Sequence, residues 1–173
     1  MANILKHLII FTLFTFFSQT GGVLWLIFLP ISSWLKKRFG HHWKTSTLNF
    51  ALFLIFYICM NAFLVPPLAK WQCGRVPLPV FSHEHLKPHA AWYYCFLNHH
   101  YVRPSVKASM EHAADKLAAK FPGAKVYYLD ANFPFGDGYP LEPHFTHRYG
   151  TTVDIALHWL DAKTRSYLKN EFA

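Results

Sequence analysis

No aspartate or glutamate occurs before Glu84, so the first 83 residues of the 173-residue chain contain none of its nine acidic residues. Leu8 to Ile31 contains no charged residue of either sign, and no small-x-small cleavage site follows it. A cleaved signal peptide is not expected, because its apolar run is shorter and ends at such a site. Internal repeats and low-complexity tracts are also missing. The first 68 residues carry five Lys and Arg and the remainder twelve, so the formal +8 divides as +5 and +3 (12 basic minus 9 acidic). The tightest basic cluster, Lys36-Lys37-Arg38 through Lys44, stands between two apolar runs. That placement suits lipid headgroups rather than a phosphodiester backbone, and no nucleic-acid partner is expected.

The apolar runs are what is present in abundance. Leu8 to Ile31 and Leu48 to Val65 are each long enough for a hydrocarbon core of about 30 Å at about 1.5 Å per residue. They predict a membrane anchor over residues 1–68, with transmembrane helices at about 8–31 and 48–65 and a basic loop at 32–47. The first run has a polar dip, Ser18-Gln19-Thr20-Gly21-Gly22, where small residues permit close helix approach and Gln19 can reach Asn61 on the second run. The competing reading of the dip is a re-entrant or interfacial segment. The second run ends at Pro66-Pro67. Positive loops stay on the cytoplasmic side, which places the N-terminus and everything after Pro67 outside, in a multi-pass protein of the cell membrane with the lipid bilayer as its first partner. Cys59 lies inside the second run, whereas Cys73 and Cys95 fall in a compartment where disulfides persist, and their pairing is expected.

Beyond the anchor, residues 69–102 read as a linker and juxtamembrane segment, with Pro77, Pro79 and Pro88 and an aromatic stretch at 91–102. His83-Glu84-His85 reads as a solvated loop, since H-x-H alone is a weak metal signal. Arg103 to Phe121 predicts a helix: Pro104 suits its first turn, Val106, Met110, Ala113, Ala114 and Leu117 recur on one face, and Pro122-Gly123 ends it. Lys125 to Phe133 and Thr151 to Trp159 predict strands around a Pro- and Gly-rich loop, and the polar residues 161–173 suit the start of a helix. The fold class expected is α+β.

Chemistry concentrates in Pro143-His144-Phe145-Thr146-His147-Arg148-Tyr149-Gly150-Thr151-Thr152-Val153-Asp154. Zinc takes imidazole nitrogen and carboxylate oxygen at about 2 Å, usually in a tetrahedron. On an extended strand His147 and Asp154 would stand about 23 Å apart and on opposite faces, at about 3.3 Å per residue. They share a metal only if the chain reverses between them, and Gly150 can take the positive φ of such a reversal. The bland alternative is a hairpin with an incidental histidine and a solvated aspartate.

H-x-x-G-x-x-V-D, preceded by H-x-T and followed by an apolar strand, resembles the zinc-binding segment of the hedgehog/DD-peptidase superfamily, nearest in flavour to the penicillin-insensitive murein endopeptidases. The segment is similar also to a group of two-span bacterial membrane proteins sharing D-A-N-F-P-F, here Asp130 to Phe135. The resemblance implies Zn2+ held by His147 and Asp154, with His144 as a weaker candidate and Gly150 as the family glycine. It further implies a partial, truncated peptidase-like domain over 103–173, acting on peptidoglycan peptides by metal-assisted amide hydrolysis. The family's third ligand, a histidine well downstream, has no counterpart: His158 lies only four residues past Asp154. Either the chain is cut short, or His144 or a histidine of 83–100 completes the site, or no competent metal is held. No general base is assigned, although Asp130 and Asp137 lie nearby. Arg148 is equally suited to a peptide carboxylate or to solvent. Two functions follow, an anchored zinc-metallopeptidase-like hydrolase and a non-catalytic anchored domain of the same fold that binds cell wall or a protein partner.

Overall fold

A computed structural model describes residues 2–139, 141, 146–156, 159–160 and 167–168, with side chains from Ile4 to Ala156 inside those ranges. The chain is mixed α+β, as its sequence predicts, but its apolar half is built differently. The run expected as one span is two helices, α1 (Ala2–Ser18) and α2 (Gly21–Phe39), broken where Gln19 takes a φ of +60°. Two polar side chains and two glycines make the turn. Ser18 Oγ donates to Phe14 O (2.9 Å) and accepts from Gly21 N (3.1 Å), closing the corner locally. A Cβ at Gly22 would stand 2.5 Å from Phe11 O, so the helices meet there backbone to backbone. His7 and Phe14 of α1 both lie against Trp25 of α2, which makes the pair antiparallel.

The N-terminus therefore lies at the Lys36–Lys44 end of the hairpin, not with the domain as expected. That expectation required residues 8–31 to be one straight helix. The polar dip is the tip of a turn instead of the middle of a span.

The second run lies inside one continuous helical stretch, Trp43–Cys73, the only described helix long and apolar enough to cross a membrane. It comprises α3 (Trp43–Cys59), a π-turn over Met60–Leu64 and α4 (Val65–Cys73). Pro66-Pro67 does not end it. A proline ring collides with the preceding turn of an α-helix and removes its N–H, and the wider π-turn, with Val65 N–H bonded back to Met60 O, makes room for the rings. Gly74, at φ +59°, stops the helix eight residues after the first proline. Leu24 and Phe28 of α2 pack with Phe53 and Tyr57 of α3.

Residues expected to be linker belong to the domain. β1 (Val76–Pro77) pairs antiparallel with β3 (Tyr101–Val102), and β2 (Leu86–Pro88) pairs parallel with β4 (Val126–Tyr128). β4 in turn pairs antiparallel with β5 (Ile155–Ala156), in the order β2-β4-β5. Between them come α5 (Ala91–Tyr94) and α6 (Pro104–Lys120). Leu78, Leu86, Val102, Ala114, Tyr128 and Ala131 form the core, with Val106 and Met110 of α6 against it. The expected helix is present and packs as far as Ala114, beyond which Leu117 and Phe121 remain 37% and 45% exposed. The expected strands shrink to three and two residues because side chains replace ladder bonds beyond them, as described below. β6 (Trp159–Leu160) pairs with β7 (Tyr167–Leu168), so a strand falls where the polar end predicted a helix.

Candidate metal centre

The segment 146–156 returns on itself. Gly150 takes φ +74°, and its N–H and C=O are both used: Asn132 Oδ1 accepts the first (3.0 Å) and Arg103 N donates to the second (2.7 Å). Asn132 Nδ2 then donates to Thr152 O (2.9 Å), so one buried amide holds both sides of the bend. With the chain reversed, His147 Nε2 and Asp154 Oδ1 stand 3.3 Å apart. Charge-assisted hydrogen bonds are shorter, about 2.7–2.9 Å. Two corners of a tetrahedron with metal bonds of about 2.05 Å are separated by about 3.3 Å. His147 is 2% exposed, whereas the Asp154 side chain is 35% exposed, so the pair opens to solvent on the carboxylate side.

A second His–Asp pair lies alongside. Leu129 N donates to Asp154 O and Asp154 N to Asp130 O, both at 2.8 Å, so two residues of one strand oppose one of the other. This is the pattern of a β-bulge, which bends a strand and re-aims its side chains. Asp130 Oδ1 lies 2.8 Å from His99 Nδ1, and His99 Nε2 lies 3.0 Å from Phe17 O at the hairpin tip. The Tyr94 phenol has its pKa raised by burial first and then by the fields of Asp130 and Asp154, among others. The sequence admits a histidine of 83–100 and places Asp130 nearby without a role, but nothing in it singles out His99 or pairs it with Asp130.

Asp137 is committed elsewhere. Its two carboxylate oxygens meet Arg75 Nη2 (2.7 Å) and Arg103 Nη2 (2.6 Å), and these contacts, the Arg75 hydrogen bond foremost, hold its pKa below the usual carboxylate value. Arg75, 1% exposed, also donates to Phe133 O (2.5 Å) and Arg148 O (2.7 Å). The fork anchors both ends of the loop before His147 to the base of α4.

The weaker expected ligand His144 lies outside the described residues, as does His158, which was not expected to reach the ion. His83 Nδ1 accepts from His85 N and Leu86 N, a local turn rather than a metal site. Among the described residues no group of three or more His, Cys, Asp or Glu is placed to hold a metal. His147 and Asp154 thus fit as two donors of a zinc site, without a described third. The expected Cys73–Cys95 bridge is not formed, and Cys59 is free as well. Cys73 Sγ faces Gly136 N (3.4 Å), while Cys95 Sγ faces Tyr128 Oη (3.6 Å) on the core side, where burial pushes its pKa up to about 11. Comparison with protein-family models, curated proteins and solved structures found no match for this chain.

Proposed function

We propose that this is a membrane-anchored protein whose domain, outside the cytoplasmic membrane, binds zinc through His147 and Asp154 and hydrolyses peptide bonds of cell-wall type. The 3.3 Å separation of Nε2 and Oδ1 carries the reading, because it matches a ligand pair on one ion. The substrate class comes from the resemblance to hedgehog/DD-peptidases alone. Zinc held there would lower the pKa of a bound water and polarise a carbonyl. The chain's own residues keep the pair in place: Gly150 and Asn132 form the bend, and the bulge at Asp130 sets Asp154. The anchoring follows from the apolar Trp43–Cys73 helix and from Lys36–Lys44 at the opposite end from the domain.

A second reading, a non-catalytic anchored binding domain, is favoured by one observation: no third ligand stands beside His147 and Asp154 among the described residues. Metal content of the full chain in detergent separates the possibilities. One zinc per chain, lost in His147→Ala and in Asp154→Ala, supports the metal site. A folded parent without zinc overturns it. Zinc binding with no cleavage of peptidoglycan stem peptides selects the second reading.

A further inference from the structure

The apolar half of the chain is a three-helix layer. Phe14 of α1 stacks on Phe53 of α3 at 5.6 Å between ring centres, and Phe28 of α2 meets the same ring at 5.4 Å. About two turns beyond, Thr20 Oγ1 donates to Asn61 Oδ1 (2.9 Å). α2 and α3 therefore run side by side from the Phe39–Thr45 connection to the level of Asn61, with α1 packed on α2 and meeting α3 at Phe14. Residues 43–61 span about 28 Å and the 17 residues of α1 about 26 Å, close to a hydrocarbon core of about 30 Å.

The outer faces are predominantly apolar. Leu8 and Leu13 are 56% and 50% exposed, Ile27 and Ile31 56% and 44%, and Phe50 and Ile55 65% and 58%, each pair on a different helix. The two ends differ in kind. One carries Lys6, Lys36, Lys37, Arg38 and Lys44 with no acidic residue. The other is seated in the domain, and its turn is covered by protein. Asn98 Nδ2 donates to Ser18 O (3.2 Å) and Thr20 Oγ1 (2.8 Å), His99 reaches Phe17 O, and Gln19 pairs with the backbone of Phe135. An open turn bare to lipid would be costly, whereas one whose polar groups are met by protein is tolerated.

We infer that α1 and α2 cross the bilayer beside α3, giving three crossings, with the N-terminus on the cytoplasmic side and the domain resting on the outer ends of the helices. A helix that crosses carries with it any helix packed along its whole length. The inference rests on the proposed anchoring and not on the metal site.

Impermeant-maleimide labelling of the full chain in intact cells tests it. In a Cys59→Ala, Cys73→Ala, Cys95→Ala background, a single cysteine is placed by Ala2→Cys, His41→Cys or Lys116→Cys. The expected result is labelling at 116 in intact cells, and at 2 and 41 only after permeabilisation. Labelling at 2 with protection at 41 means two crossings and overturns the inference; equal labelling at all three positions also overturns it. Protease treatment of intact cells carrying an N-terminal tag on the otherwise unaltered chain guards against misfolding of the variants. The tag survives if the inference holds, and its digestion refutes it. Zinc content of the same chain reports on the metal proposal independently.

Discussion

Gln19 pairs in both directions with the backbone of Phe135: Nε2 donates to its carbonyl (2.7 Å) and Oε1 accepts from its N–H (2.9 Å). A side-chain amide thus completes main-chain groups 116 residues away and ties the apolar hairpin to the loop preceding the His147/Asp154 bend.

Gln19→Leu keeps the volume and orphans both groups of Phe135. At about 1–3 kcal/mol per orphaned group, a loss of about 2–6 kcal/mol is expected. Gln19→Glu forfeits only the donor and should cost about half as much. Thermal unfolding in detergent measures both, and an unchanged midpoint for the leucine variant would mean the tip is not docked.

Arg75→Leu removes a buried fork with acceptors at Phe133, Asp137 and Arg148. About 2–6 kcal/mol of destabilisation is expected, since the carbonyls of Phe133 and Arg148 each lose a donor at about 1–3 kcal/mol, while Asp137, 47% exposed, keeps Arg103. Arg75→Lys should rescue little, because an ammonium cannot reproduce the planar fork. Arg103→Leu, at a side chain 33% exposed, should cost clearly less. Equal effects at Arg75 and Arg103 would contradict the burial argument.

Gly150→Ala puts a side chain at φ +74°, with its Cβ 3.3 Å from Arg103 N. The left-handed conformation alone costs about 1–2 kcal/mol. Gly123→Ala provides the comparison: its φ is +88°, but nothing lies within 4 Å of the added Cβ. The Gly150 variant should lose more stability than the Gly123 variant and should also lose zinc. Retention of full metal content would separate the bend from the site.

His100 is buried, and that burial, followed by the field of His99, pushes its pKa down to about 3 from 6.5. The unfolded chain therefore takes up a proton at pH values where the folded one does not. Stability from this residue is complete above pH 6.5 and declines as pH falls toward 3, by about 1.4 kcal/mol per unit. Between pH 6.5 and 5 the parent should lose about 2 kcal/mol more than His100→Gln. Parallel pH profiles for the two would show that His100 is not the titrating group.

Thiol titration of the denatured, unreduced chain should count three thiols, for Cys59, Cys73 and Cys95. In the native state Cys95 should react slowest of those outside the helical layer, because its thiol is buried against Tyr128 and ionises near pH 11. A count of one in the denatured chain would restore the Cys73–Cys95 bridge.

The sequence by itself determined the α+β class, the position of α6, the apolar character of the first 68 residues and the bend at Gly150. These are local properties: periodicity, Pro and Gly placement and hydropathy act within a few residues. Only tertiary structure decided the path of the apolar half. Residues 8–31 are apolar enough for one span, but the break at Gln19 persists because Asn98, His99 and Phe135, far along the chain, supply partners for the turn. The same holds for the π-turn before Pro66-Pro67, the two arginines on Asp137, and the bulge that brings Asp130 beside Asp154. Each satisfies a polar group with a partner distant in sequence, and no window of neighbouring residues contains both halves of such a pair. That is why His147 and Asp154 were legible as candidates, while the residues that hold them in place, Asn132 and Arg75, were not.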